Sequence, residues 1–297
     1  MGFLLVLKAE FIRNMIVMRR YWFRTVTGMI IGYFMLMSMI MMFHSKGGAD
    51  PVGFASRFGT GEEATKSALT FIIGMLAFGI VGLFSQGLQG MAQSGQLEQL
   101  CMSPHGLVSN FMARSLMAAV TSVPTSALIV WLIAYRLHFD IPMSTVGEFG
   151  MLVLLLMLAF LNLIGFGFMV GGLVLVFKQT GQVAVMVRMG LLAIAFMADE
   201  IRTYPKVIQA IAHALPITDA TLCLIHLVIR GQMEPVYDAK GKPLMEGGQV
   251  VANYVPVLFH PSFLLLLANC AVWTFLGIAC FRLMENWSRN KGTLGAY

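Results

Sequence analysis

Residues 25–45, 67–97, 115–135 and 149–177 contain no Asp, Glu, Lys or Arg. Each is at least 21 residues long. A helix rises about 1.5 Å per residue, so roughly 20 apolar residues cross the hydrocarbon core of a bilayer. The 297 residues are 58% hydrophobic and only 11% charged, with a mean hydropathy of +0.79. Soluble domains carry about 25% charged residues. Ordinary globular surfaces, disordered tails and nucleic-acid modules are thereby set aside. The chain reads as an all-α polytopic membrane protein forming a single unit, 1–297.

Six transmembrane helices are expected, near 23–43, 68–89, 114–135, 150–177, 183–198 and 262–281. Pro124 falls inside the third and is a candidate kink. Before the first span, Leu4, Leu7, Phe11, Met15 and Met18 recur at helical spacing with Lys8, Arg13, Arg19 and Arg20 between them. That pattern predicts an N-terminal amphipathic interface helix over 3–21, with an extension of the first span as the other reading. The first apolar block is longer than a leader's and follows five Lys or Arg residues, so no cleaved signal peptide is expected.

Six spans place both termini on one side. Eleven Lys and Arg fall on the termini side, four in the short loops opposite, and five in the long fifth loop. The positive-inside rule then predicts cytoplasmic termini, chiefly from the cluster Lys8, Arg13, Arg19, Arg20 and Arg24. The +6 net charge belongs to span flanks, and no nucleic-acid partner is expected. Residues 206–229 are apolar but interrupted by Pro216 and Asp219. They read as a re-entrant outer hairpin within 205–230, because irregular backbone is tolerated at membrane depth when protein buries it. The alternative is a seventh span. Residues 231–261 form a more polar insert punctuated by Pro235, Gly241 and Pro243.

The most informative polar interval is 90–104, with the pattern Gly95-x-Leu97-Glu98-x-Leu100-x-x-Ser103-Pro104. Ser94-Gly95 is a helix break and Pro104 a stop. Leu97 and Leu100 share a face and are candidates to dock in a partner's apolar cleft. Glu98 sits where a helix dipole favours negative charge. Residue types alone leave a solvated loop with a capping glutamate equally open.

This interval resembles the cytoplasmic signature of type-2 ATP-binding-cassette transporter permeases. Leu215-Pro216-Ile217-Thr218 is a weaker second likeness. The resemblance implies a cytoplasmic coupling helix at Gly95, Leu97, Glu98, Leu100, Ser103 and Pro104. It implies an outer gate around Pro205, Leu215, Pro216 and Asp219. It further implies a separate cytoplasmic ATPase subunit that binds ATP and Mg, a second copy of the permease as homodimer partner, and a bacterial cytoplasmic membrane location. The segment after the fifth span departs from the family, because Asp199, Glu200 and Arg202 precede Pro205. No cofactor and no catalytic residue are expected on this chain. Its nearest approach to a phosphate-binding loop, Gly61 to Ser67, lacks the glycine before Lys66. The expected function is outward export of an amphiphilic or lipid-like substrate such as a drug, lipid, lipopeptide or lipid-linked glycan. The alternative is an ATP-independent membrane enzyme or assembly factor.

Other features have bland readings beside the sharp ones. Met35, Met37, Met39, Met41 and Met42 with His44 suggest soft-metal ligation but equally flexible apolar packing, and no metal site is expected. Gly28/Gly32 and Gly167/Gly171 permit close helix approach. Arg188 is the one strong charge inside an expected span, either a pathway residue or a side chain snorkelling toward the surface near Lys178. His213, Asp219 and His226 are candidate proton or metal groups whose convergence is not set by their spacing. Cys101, Cys223, Cys270 and Cys280 read as unpaired packing residues.

Overall fold

The computed structural model describes residues 2–44, 61–102, 105–136, 146–177, 181–198, 201, 204–235, 245–246, 249–250 and 252–290. The helices are α1 (Gly2–Arg20), α2 (Trp22–His44), α3 (Gly61–Gln93), α4 (Gln96–Cys101), α5 (Gly106–Arg136), α6 (Val146–Val176), α7 (Gly181–Met197), α8 (Lys206–Ala214), α9 (Thr218–Val228) and α10 (Pro261–Asn290). Two short antiparallel pairs lie between α9 and α10. Met233–Pro235 pairs with Ala252–Tyr254, and Met245–Glu246 pairs with Gln249–Val250. Four described helices are long and apolar enough to cross a membrane, or five if the bent pair α8 and α9 counts as one. The chain is an α-helical integral membrane protein.

Helix α6 is the centre of the bundle. One face, with Gly165 and Gly172, lies on α10, and a neighbouring face, with Gly167 and Gly171, lies on α3. A Cβ on Gly165 would come within 2.6 Å of the Trp273 carbonyl oxygen, and one on Gly277 would strike the Gly165 carbonyl. Without a hydrophobic drive between helices in lipid, small residues that let backbones approach supply the packing. The Gly167/Gly171 pair therefore serves packing within the chain, where it receives the Phe84 ring and the Leu88 side chain of α3. Four fully buried phenylalanines tie the helices together. Phe84, Phe168, Phe281 and Phe111 meet in turn at centroid distances of 4.6, 5.2 and 6.4 Å, and Phe111 returns to Phe84 at 5.7 Å. Among the described residues, by contrast, nothing lies within 4 Å of a Cβ on Gly28, and Gly32 has only Ile129 nearby.

Contacts along the helices set their directions. Phe84 and Leu88 of α3 meet Gly167 and Gly171 of α6, so these two run parallel. Gly165 meets α10 at Trp273 and Gly277, and Ser288 bonds the Leu175 carbonyl, so α10 runs with them. Gly74 faces Leu192 and Gly82 faces Arg188, so α7 runs against α3. The C-terminal ends of α3, α6 and α10 thus share one end of the bundle. Helix α1 is fastened at that end too, through an ion pair from Glu10 to Arg114 of α5 at 3.2 Å, and Arg114 in turn donates a hydrogen bond to Met91 Sδ of α3 at 2.9 Å. Its bundle-facing residues are Val6, Glu10 and Asn14, while Leu4, Phe11 and Met15 are exposed. The inward face is thus mixed, and the outer face carries apolar side chains together with Lys8, Arg13, Arg19 and Arg20.

Candidate functional site

The 90–104 segment folds as its residues dictate. Helix α3 ends at Gln93, and Gly95 takes φ +70°, a left-handed turn that favours glycine. A separate short helix, α4, follows with Glu98 in its first turn. Ser103 and Pro104 lie outside the described residues. The leucine pair departs from the expectation. Leu97 is fully buried and belongs to the chain's own core, packed where α4 meets α3 and α5, while Leu100 is half-buried. Leu97 thus holds α4 to the bundle and is not available to a partner. The face left outward carries Gln96, Gln99 and Met102, the last 80% exposed. At the far end of α4, Arg289 of α10 donates to the Cys101 carbonyl at 3.4 Å and pairs with Glu285 at 2.6 Å. A cation there satisfies a helix C-terminus.

At the opposite end of the bundle, Pro205 precedes α8 and is exposed. Asp199, Glu200 and Arg202 lie outside the described residues. Leu215, Pro216 and Ile217 turn the chain by 89° into α9. A polar lattice holds this bend. His213 Nδ1 meets the buried Asp219 carboxylate at 2.7 Å, and Asn269 of α10 donates to the His213 carbonyl (2.6 Å) and to Asp219 (3.2 Å). Trp273 Nε1 donates to Ala214 O at 2.9 Å, and Asn162 of α6 donates to Pro216 O at 3.0 Å. The carbonyls that Pro216 and the bend leave without helical partners are thus satisfied, as low-dielectric surroundings require. His226 does not join them. Its ring lies beside His260 at 4.7 Å, and its Nε2 meets the Val255 carbonyl at 2.8 Å, anchoring the end of the insert. No group of three metal-ligating side chains occurs among the described residues. Met37 is a buried core residue, and the side chains of Met35, Met39, Met41, Met42 and His44 lie outside the described residues.

Arg188 does not snorkel. It is 2% exposed, its Nε donates to Ala184 O at 3.2 Å, and its guanidinium sits 4.5 Å from the Phe78 ring of α3. Gly82 leaves the space it occupies, since a Cβ there would lie 2.9 Å from Nη1. It lines a cavity of about 710 Å³ between α1, α3, α5 and α7, together with Glu10, Arg13 and Arg114. Glu10 pairs with Arg13 at 2.9 Å as well as with Arg114. Partial burial, then the like charge of Arg114, lower the Arg13 pKa against the pull of Glu10. Glu10, Asn162 and Asn269 were not singled out from sequence. Their signals are simple: Glu10 is the only acidic residue before Asp50, and the two asparagines stand in apolar runs.

Comparison with protein-family models, with curated proteins and with solved structures yields no match.

Proposed function

We propose that this chain is the membrane-spanning permease subunit of an ATP-driven exporter of the type-2 ATP-binding-cassette kind. Two copies would work with two copies of a separate ATPase that holds ATP and Mg, moving an amphiphilic substrate outward across a bacterial cytoplasmic membrane. The observation that carries the reading is α4 itself, a short helix set off by the left-handed Gly95 and seated on the ends of α3, α5 and α10. Its Gly95-to-Pro104 residues are those the family resemblance rests on.

The running of α7 against α3, α6 and α10 fits a plan of six spans, namely α2, α3, α5, α6, α7 and α10. Helix α7 is about 26 Å long and the shortest of these. Because α7 ends and α10 begins at the same end of the bundle, α8 and α9 form a hairpin that enters and returns on one side. The end bearing α1, α4 and the C-terminus of α10 is then the cytoplasmic one. A push on α4 would pass through Leu97 to α3, and from α3 to α7 and the α9 hairpin, all in direct contact. The bend around Leu215, Pro216 and Asp219 would form the outer gate.

Co-purification tests the reading. The full-length chain in mild detergent should retain a soluble protein bearing a phosphate-binding loop, and Glu98→Arg should release it while the chain stays folded. A chain that copurifies with no such ATPase under those conditions would refute the proposal and favour an ATP-independent membrane enzyme or assembly factor.

A further inference from the structure

The cavity around Arg188 holds three guanidinium groups and one carboxylate. Glu10 is spent on Arg13 and Arg114. Arg188 has no acidic partner among the described residues, and its Nη2 is buried without any hydrogen bond there. A buried charge left in this state is costly, and the Phe78 ring face offsets only part of the loss. A planar guanidinium with a free edge lining a cavity suits a phosphate or carboxylate oxygen, which Arg can bind in a fork.

The same cavity adjoins a second of about 1210 Å³ between α1, α2, α3 and α5. Asn14, Met117 and Thr121 line both. The second space is mainly apolar, walled by Phe11, Met15, Met29, Phe71, Met75 and Leu76. Gly28 lines it, with nothing among the described residues within 4 Å of a would-be Cβ. A positive chamber beside an apolar groove has the polarity of one kind of molecule.

We propose that α1, α3, α5 and α7 form a binding site for an amphiphile with an anionic, phosphate-bearing headgroup. The headgroup sits against Arg188 and Arg114, and an acyl chain lies in the groove past Gly28. Binding needs this chain alone. That the bound amphiphile is also the exported cargo rests on the exporter reading.

The test uses the full-length protein in neutral detergent, with no ATPase and no nucleotide, so its outcome is independent of whether an ATPase partner exists. Native mass spectrometry would compare dioleoyl phosphatidic acid, dioleoyl phosphatidylcholine and inorganic phosphate. Phosphatidic acid should bind about tenfold or more tightly than phosphatidylcholine. Arg188→Gln should reduce that preference to within about threefold, whereas Arg19→Gln, on the exposed side of α1, should leave it intact. Phosphatidic acid should also raise the thermal midpoint of the wild type and not that of Arg188→Gln. The variant's own midpoint should not fall, since it loses an uncompensated charge. Gly28→Leu should weaken phosphatidic acid binding without creating any preference for phosphatidylcholine. Unchanged selectivity in Arg188→Gln would overturn the site. An equal loss in Arg19→Gln would reduce it to general surface charge. Inorganic phosphate competing at concentrations equal to the lipid would overturn the acyl groove and assign the chamber to a free anion.

Discussion

Gly165→Ala adds one methyl group where α6 and α10 touch through backbone. The new Cβ would lie 2.6 Å from Trp273 O and from Thr274 N. Neither atom can rotate away as a side-chain tip would. Ordinary contact begins near 3.4 Å, so α10 must retreat by about 0.8 Å, and a gap of that size forfeits a quarter to a half of the attraction at each flanking contact. Those contacts include Gly277 on the Gly165 carbonyl and Gly172 on Phe281. Overpacking of this kind costs about 1–3 kcal/mol. At roughly 2–4 °C per kcal/mol for a chain of this order of size, the midpoint should fall by about 2–12 °C. Gly150→Ala is the control on the same helix, because its Cβ meets nothing within 4 Å. It should gain up to about 1 kcal/mol from helix propensity and lose nothing to contact. Differential scanning fluorimetry of the purified chain in one detergent reads both. The double variant Gly165→Ala/Gly277→Ala should cost less than the sum of the singles, since the first already separates the helices. A Gly165→Ala midpoint equal to that of Gly150→Ala would refute a backbone crossing at this place.

Leu97→Ala should lower the thermal midpoint, by a loss of about 2–5 kcal/mol for a fully buried leucine, before any effect on a partner is considered. Met102→Lys, on the outward face, should leave the midpoint within about 0.5 kcal/mol and act only on copurification. Asn269→Leu removes the donor to His213 O and Asp219, so limited proteolysis should open the 205–230 hairpin at a cost of about 1–3 kcal/mol. Phe168→Ala, at the middle of the phenylalanine cluster, should destabilise by about 3–5 kcal/mol in the same thermal assay.

The apolar helices were legible because lipid imposes a one-dimensional requirement: a run without charge, long enough to cross. Their ends were not, because a helix does not stop where the hydrocarbon does. Helix α3 begins at Gly61, ahead of Glu62, Glu63 and Lys66, and α10 continues through Arg282, Glu285 and Arg289 to Asn290. The break at Gly95 was legible for a local reason, since a left-handed turn is written in the residue that makes it. The facing of Leu97 was not. Two leucines three residues apart define a stripe, and only the packing of α3 against α5 decides which side the stripe is on.

Arg188 marks the same limit more sharply. Its distance along the chain from Lys178 gave a depth, and depth alone suggested an escape to the surface. The side chain instead lies against Phe78, in the space left by Gly82, with Gln86 lining the same cavity. These three α3 residues are spaced four apart and so stack along one helix face. An aromatic, a glycine and an amide in that order form a socket for a long cationic side chain, and such a pattern is visible in sequence. What selects Arg188 as its occupant is the antiparallel register of α7 on α3, fixed at Gly74 against Leu192 and Ala195. Replacing Gly74 with valine should displace that register and expel Arg188 from its socket. Solvent accessibility at residue 188 would reveal this, read as modification of an Arg188→Cys probe: slow in the otherwise wild-type chain, fast once Gly74→Val is added. Equal rates in the two backgrounds would mean that the arginine's burial does not depend on the α3–α7 contact.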